Sequence, residues 1–387
     1  MAKLVDDGSA QSIAAFWNEI LVAGAPLIEP YNDASVLVTF LWRGEAPRTR
    51  VWFGVNAELT RLPGSDVWYD TQILPADLIT IYGMLHGEIQ GLPSEAVVSG
   101  PAHLDPLNPH RVFFPGDPGD PSDRDNWASL LKLPNAPTDQ WTVRRPGVTP
   151  GSLLRTSIFG KALGGERTVT VYRPPGAPPG ALPALVVFDG YLAQTMLDIP
   201  TTLDNLIAAG RIPAMAALFV HTRDDRREQD LVPTPPIDHF ITGELLPWAH
   251  DELSVGGDGI RNLIAGVSRG GLTATYLGLR RPDLFSGVVA HSGSFWWPSP
   301  AEGRPGRLID EVPAAGANKV RFYLDVGNRE TMPGPGGASA QLDVNRKMRD
   351  VLRANGHQVT YAEYCGGHDY VNWRRTFADG LLAVCGL

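Results

Sequence analysis

The fold is decided by one stretch of the chain, Arg261-Asn-Leu-Ile-Ala-Gly-Val-Ser268-Arg-Gly-Gly-Leu-Thr-Ala-Thr-Tyr-Leu-Gly-Leu-Arg280. Its short apolar run, residues 263–267, predicts a buried strand, and residues 271–280 predict a helix. Between them stands Gly266-x-Ser268-x-Gly270, the pattern of a nucleophile on a tight strand-to-helix turn. Such a turn lifts a serine hydroxyl above the sheet. It also points a helix N-terminus at the place where negative charge develops during attack on a carbonyl.

Around this stretch, the second half of the chain alternates between strand-like and helix-like segments. Strands are predicted at residues 153–159, 167–173, 185–188, 216–220, 263–267, 287–291, 320–326 and 358–364. Helices are predicted at residues 201–209, 237–252, 271–280 and 341–355. Alternation of this kind indicates a mainly parallel sheet covered on both faces. Together with the serine turn it predicts an α/β-hydrolase fold.

The first third of the chain has a different pattern. Residues 9–24 carry apolar side chains at helical spacing, and several short strands follow between residues 35 and 84. These strands predict a small all-β domain, an immunoglobulin-like sandwich. Residues 101–150 are rich in Pro, Gly and Asp and predict a loop-rich link. We therefore expect a sandwich domain with its helix and linker at residues 1–145 and a catalytic domain at residues 146–387.

Composition limits the function. The 387 residues are 43% hydrophobic, which suffices for sizeable cores, and the formal net charge of −9 argues against a general nucleic-acid surface. No apolar run approaches the ~20 residues of a membrane span. The N-terminus lacks the apolar core of a signal peptide, so we expect a cytoplasmic protein in which Cys365 and Cys385 are reduced thiols.

A serine nucleophile needs a base and an orienting acid. His368 follows the probable strand 358–364 in a glycine-rich loop and is the predicted base. Two acids stand at the end of strand 320–326, Asp325 within it and Glu330 a few residues beyond it. The position past the strand end favours Glu330, with Asp325 as the alternative. The chain order serine, acid, histidine is the one that this fold class requires.

The oxyanion hole is predicted from backbone donors. One is the N–H of Arg269, the residue after the nucleophile, and the other belongs to Gly190 or Tyr191 in the loop after strand 185–188. His, Cys and acidic residues do not cluster at metal-ligand spacing, so we expect neither a metal nor a cofactor.

These residues resemble a known family, the enterochelin (ferric enterobactin) esterases of the esterase D type. The resemblance lies in the serine turn and in four further motifs, His291-Ser-Gly-Ser-Phe-Trp-Trp297, Gly327-Asn-Arg-Glu330, Gly366-Gly-His-Asp369 and, in the N-terminal part, Val38-Thr-Phe-Leu-Trp-Arg43. It thus extends over nearly the whole chain.

The resemblance implies a cytoplasmic serine esterase that cleaves the cyclic trilactone of a ferric catecholate siderophore and so releases iron. Such a complex is anionic and aromatic. Local arginines and two tryptophans are the expected contacts: Arg223, Arg226, Arg227, Arg269, Arg329, Trp296 and Trp297. The chain departs from the best-known members at Arg269, where an aromatic or small residue is expected.

Two other functions are compatible with the residues. One is a serine esterase for other phenolic esters, such as feruloylated sugars, although polymer substrates of that kind lie outside the cell. The other is a non-catalytic protein that binds a siderophore. The complete set of Ser268, Glu330 and His368 favours catalysis over binding alone.

Overall fold

The computed structural model describes residues 9–87, 102–177, 181–257, 259–316 and 319–386. It divides into two compact units. The first, rich in β-structure, contains the described residues as far as Phe114 together with Asp125–Pro137 and Cys365–Asp369. The second contains Pro115–Arg124, Thr138–Tyr364 and the described residues from Tyr370 onward. An all-β N-terminal part followed by an α/β part, as the sequence predicts, is confirmed.

The first unit opens with helix α1 (Ala10–Ala23), whose first turn is capped because Ser12 N donates to the Ser9 side chain. Its strands are β1 (Leu27–Asn32), β2 (Ser35–Arg43), β3 (Thr49–Phe53), β4 (Ala57–Arg61), β5 (Val67–Pro75), β6 (Ile79–His86), β7 (Arg111–Phe114) and β8 (Asn126–Lys132). They hydrogen-bond in the order β1-β2-β5-β4-β3-β6-β8-β7, with every pair antiparallel. The core takes side chains from both halves of that order, among them Phe40 of β2 and Tyr82 of β6.

The stretch predicted as a loop-rich link contains two strands, β7 and β8. In the described chain just before β7, buried polar contacts take the place of regular structure. The Asp105 carboxylate accepts from Tyr82 Oη at 2.7 Å and from Leu107 N at 2.9 Å. Composition predicts the loops here, but it does not reveal side-chain bonds that fix a Pro- and Gly-rich segment against a sheet.

The second unit is a mixed sheet with helices. Its strands are β9 (Ser152–Gly160), β10 (Gly165–Arg173), β11 (Ala184–Val187), β12 (Ala216–Val220), β13 (Asn262–Val267), β14 (Phe285–His291), β15 (Arg321–Gly327) and β16 (Gln358–Tyr364). The order is β16-β15-β14-β13-β11-β12-β10-β9, parallel from β16 to β12 and antiparallel from β12 to β9. The inner parallel strands are almost entirely buried, because helices cover both faces, whereas the edge strand β16 is mostly half-buried or exposed.

The helices of this unit are α2 (Gly190–Thr195), α3 (Ile199–Ala208), α4 (Arg227–Asp230), α5 (Pro235–His239), α6 (Leu246–Leu253), α7 (Arg269–Arg280), α8 (Arg307–Asp310), α9 (Gln341–Ala354) and α10 (Tyr370–Cys385). Short 3₁₀ turns lie at Asp224–Arg226 and Pro335–Gly337. None of the helices within the described ranges combines the length and apolarity that a bilayer crossing requires.

Two helical regions differ from the prediction. The single helix expected at residues 237–252 is α5, a π turn at Phe240–Leu245 and α6, because Pro247 lacks the N–H that a regular α-helix would use. Helix α10 was not predicted, although it buries Trp373, Phe377 and Leu381 at helical spacing. Its apolar residues are the signal that could have shown it.

Candidate active site

The serine turn has the strained geometry that the sequence pattern predicts. Ser268 joins β13 to α7 with φ 52° and ψ −116°, a conformation that costs a non-glycine residue about 1–3 kcal/mol. The turn closes because Gly266 has no side chain: a Cβ there would lie 2.3 Å from the carbonyl carbon of Gly270. The backbone therefore requires glycine at position 266.

Hydrogen bonds from two stretches of chain hold the nucleophile candidate in place. Ser268 N donates to His291 O at 2.8 Å, and Ser268 O accepts from Leu272 N and Ser294 N. The Ser268 and Ser294 hydroxyl oxygens are 3.1 Å apart. Ser268 is therefore fixed by the start of its own helix and by the chain that follows β14, with its hydroxyl directed at a second hydroxyl.

The loop after β11 supplies the second predicted oxyanion segment. Asp189 has left-handed backbone angles, φ 52° and ψ 48°, and α2 begins directly after it. Gly190 packs so closely on β12 that a Cβ would lie 2.7 Å from the carbonyl carbon of Phe219. Arg227 donates two hydrogen bonds to the Asp189 carboxylate, from Nε to Oδ1 at 2.9 Å and from Nη2 to Oδ2 at 2.8 Å. Burial opposes the charge of Arg227, but Asp189 outweighs it and raises the pKa of the guanidinium.

Next to this loop, three side chains form a chain of polar contacts that ends at the Gly190 carbonyl. Gln194 Nε2 donates to Gly190 O at 2.7 Å and lies 3.2 Å from His221 Nε2. His221 Nδ1 is 2.8 Å from Asp117 Oδ2. Burial lowers the pKa of His221. Burial raises the pKa of Asp117, but hydrogen bonds from His221, Gly119 and Arg155 outweigh it, so the pKa is lowered.

The side chain of Arg269 folds against the protein. Its guanidinium lies 4.9 Å from the Trp296 ring centroid and makes an ion pair with Glu228, with Nη2 2.5 Å from Oε2. Burial lowers the pKa of Arg269, which Glu228 partly offsets. The Arg269 backbone N–H is the first of α7 and thus one of the donors that a helix leaves for other acceptors.

The two candidate acids occupy different environments. Asp325 lies in β15, fully buried, and both its oxygens are 2.9 Å from His291 Nδ1 on the neighbouring strand. Glu330 lies in the loop beyond β15, where its Oε1 accepts from Ser292 Oγ at 2.6 Å and from Gly327 N at 2.7 Å. The carboxylate of Asp325 is thus bonded to a histidine inside the sheet. Glu330 lies instead at the edge formed by the carboxyl ends of the parallel strands.

His368 lies in the bend between β16 and α10, in the segment that groups with the first unit. The residue is half-buried. Its neighbour Asp369 is buried and accepts from Thr80 Oγ1 at 2.6 Å, so this short segment is anchored within the first unit.

The remaining predicted contacts are placed as follows. Arg223 is exposed and bonded to Asp225, and Arg226 lies 3.6 Å from Asp230. Arg329 stands half-buried in the turn after β15, as does Tyr191 at the start of α2.

The two tryptophans lie in the chain that follows β14, and their predicted contact with substrate stays a prediction. Trp296 is buried, covered by Arg269, and donates to Gln341 Oε1 at 2.7 Å. Trp297 packs against the core beneath Arg307.

Five residues at the site were missed by sequence reasoning: Ser294, Glu228, Gln194, His221 and Asp117. Ser294 lies within the quoted His291–Trp297 motif, so its spacing from the serine turn could have suggested it. The other four become visible only when separate loops meet. Among the described residues, no group of three or more His, Cys, Asp and Glu side chains could hold a metal ion.

Comparison with known proteins identifies the family. A model described as putative esterase matches residues 160–384, more than half of the chain. The chain belongs to this esterase family. It is a carboxylic ester hydrolase. A second model, described as enterochelin esterase, N-terminal, matches residues 37–142, and the predicted resemblance is thereby confirmed.

Individual relatives of this esterase extend over both units. An iron(III) enterobactin esterase of Dickeya dadantii (strain 3937) is 29% identical and covers 95% of this chain and 92% of its own length. An iron(III) salmochelin esterase of Escherichia coli O6:H1 is 27% identical, with 97% and 94% covered. The crystal structure of an enterobactin esterase from Shigella flexneri, obtained in the presence of enterobactin, matches the fold with a TM-score of 0.72 at 24% identity, over 93% of this chain and 95% of its own.

Proposed function

We propose that this esterase hydrolyses the ester bonds of a catecholate siderophore trilactone, of the ferric enterobactin type, and does so in the cytoplasm. The observation that carries the proposal is the match over both units to relatives named for iron(III) enterobactin and salmochelin. A hydrolase domain alone would be compatible with many esters. The N-terminal match is the part that favours a siderophore.

In this proposal Ser268 is the nucleophile. Its hydroxyl oxygen attacks the ester carbonyl while His368 takes the proton, and a tetrahedral intermediate with a negative oxygen results. The backbone N–H of Arg269 and that of Gly190 or Tyr191 donate to this oxygen. One such donor contributes about 3–4 kcal/mol to the barrier reduction. The intermediate collapses, His368 returns the proton to the departing serine hydroxyl of the siderophore, and an acyl-enzyme remains.

Water then completes the cycle. His368 takes a proton from water, the hydroxide adds to the acyl carbonyl, and Ser268 leaves with a proton from the same ring. In a cyclic trilactone the first turnover opens the ring, and further turnovers release shorter esters. Each cut costs one water and yields one carboxylic acid and one alcohol.

We assign the orienting acid to Glu330. Its position in the loop beyond β15 is the one that α/β-hydrolases use, and bonds from Ser292 and Gly327 fix its carboxylate. Asp325 is the poorer candidate because His291 occupies it. The two cysteines are thiols, which suits a reducing compartment.

Product analysis tests this proposal. The purified protein is incubated with the ferric and the iron-free trilactone, and products are identified by mass spectrometry. We expect linear trimer, dimer and monomer from the wild type, and intact trilactone with Ser268→Ala and His368→Ala. Cleavage of feruloyl esters without cleavage of the trilactone would indicate a phenolic esterase instead. Tight binding without any product would indicate a binding protein.

A further inference from the structure

The Glu228 carboxylate lies between two arginines next to the predicted oxyanion hole. Its Oε2 is 2.5 Å from Arg269 Nη2, and its Oε1 is 3.5 Å from Arg227 Nη1. The three side chains differ in exposure: 61% for Glu228, 20% for Arg227 and 7% for Arg269. An exposed acid therefore reaches inward onto two largely buried cations.

The charges of the two arginines are balanced differently. Arg227 already has a bidentate partner in Asp189, so it does not depend on Glu228. Arg269 forms an ion pair with Glu228, and the Glu302 carboxylate attracts the same guanidinium from a longer distance. In addition, Arg269 Nη1 is buried and has no hydrogen-bond partner within the described ranges. Because a buried cation is costly to leave unpaired, Arg269 needs an anion at this place.

The position of this ion pair connects it to the reacting serine. Arg269 follows Ser268 in the chain, and its guanidinium lies over Trp296. Two residues before Trp296, the Ser294 hydroxyl is 3.1 Å from that of Ser268. Arg227, on the other side of Glu228, holds the residue before Gly190. Glu228 thus contacts Arg269, which carries one predicted oxyanion donor, and Arg227, which binds the residue before the other.

We propose that Glu228 is a resident anion in a binding subsite and that an anionic group of the substrate displaces it from Arg269. The incoming group is a carboxylate or a phenolate, two oxygen anions that match a guanidinium. Glu228 returns to water when it leaves, since most of its side chain is already solvated. The identity of that anion as a catecholate oxygen rests on the proposed function, but the exchange itself requires only an ester hydrolase. Glu228 is accordingly a specificity-determining residue.

A matched pair of chromogenic esters tests the exchange. The 4-nitrophenyl esters of succinic acid and of its monoamide have the same length and differ in one negative charge. With Glu228→Gln we expect KM for the anionic ester to fall about tenfold, because Glu228 no longer competes for Arg269, with kcat nearly unchanged. KM for the neutral ester should stay within about twofold. The preference should weaken as salt is added.

Two variants control for other causes. Glu252→Gln removes the same charge from an exposed site on α6 and should leave both esters unaffected. Glu228→Asp keeps the negative charge, so residue 228 should still compete with the substrate anion for Arg269 and KM for the anionic ester should stay close to that of the wild type. Arg269→Gln should remove the preference of Glu228→Gln for the anionic ester when the two changes are combined. Thermal unfolding confirms that each variant is folded.

An equal change in KM for both esters, or no change in Glu228→Gln, would overturn the proposal. So would a gain of the same size in Glu252→Gln, since net charge alone would then explain it. Failure of the proposed function looks different: the protein would cleave the nitrophenyl esters but not the trilactone, and the ratio between the two esters would still decide the role of Glu228.

Discussion

The serine turn and the arginine-bearing loop after β12 reach the same edge of the sheet by different means. The turn is fixed by backbone: a strained residue, a glycine that admits no side chain, and hydrogen bonds to adjacent chain. The loop is fixed by charge, through Arg227 on Asp189 and Glu228 on Arg269. The serine turn, which is fixed by its backbone, should tolerate almost no substitution. The arginine-bearing loop, which is fixed by ion pairs, can respond to charged ligands. Substitutions in the serine turn should therefore abolish activity, and substitutions in the loop should reduce it in part.

The largest effect on kcat is expected at Glu330, the acid proposed to orient the histidine that serves the serine turn. Glu330→Gln should lower kcat by about 10⁴, because the histidine loses its orientation and its charge stabilisation. Asp325→Asn should leave kcat within about tenfold. Instead it should destabilise the fold by about 2 kcal/mol, because an amide NH2 cannot accept the buried hydrogen bond that Tyr323 Oη donates to Asp325 Oδ2. Steady-state kinetics and urea unfolding measure both. The opposite ranking in kcat would assign the acid to Asp325.

A smaller but still large effect is expected from Gly266→Ala. The added methyl would meet the Gly270 carbonyl, so the turn must shift. A displacement of the nucleophile by about 1 Å costs about a hundredfold in kcat/KM. Gly316→Ala is the control, since a Cβ there meets nothing within 4 Å. Kinetics of the two alanine variants should separate them. If both retained full activity, the turn would not be the rigid part of the site.

The smallest effect is expected in the loop. Arg227→Lys keeps the charge but loses the two-pronged grip on Asp189, so the oxyanion segment should loosen and kcat should fall about tenfold. The matched control is Arg281→Lys, which breaks the same geometry with Asp283 outside the site and should change kcat by less than twofold. A loss in kcat of a hundredfold or more in Arg227→Lys would mean that the loop is as intolerant as the turn.

The same contrast explains what the sequence reveals. The turn and the parallel strands depend on local pattern, and the pattern predicts them. The roles of Ser268, Glu330 and His368 stay predictions. Strands β7 and β8 were hidden by the Pro and Gly residues around them, and the contact of Asp105 with Tyr82 joins segments that are far apart in the sequence. The pairing of Arg269 with Glu228 could not be predicted either, because composition does not say which acid an arginine will meet. The burial of Trp296 is likewise a property of the packed molecule.

The central claim is that the strained turn makes Ser268 the nucleophile, and covalent labelling tests it most directly. The protein is treated with a fluorophosphonate, digested, and mapped by mass spectrometry. We predict one adduct per chain, on the peptide that contains Ser268, and no adduct in Ser268→Ala with Ser294 intact. An adduct on Ser294 or elsewhere, or esterase activity that survives in Ser268→Ala, would contradict the account.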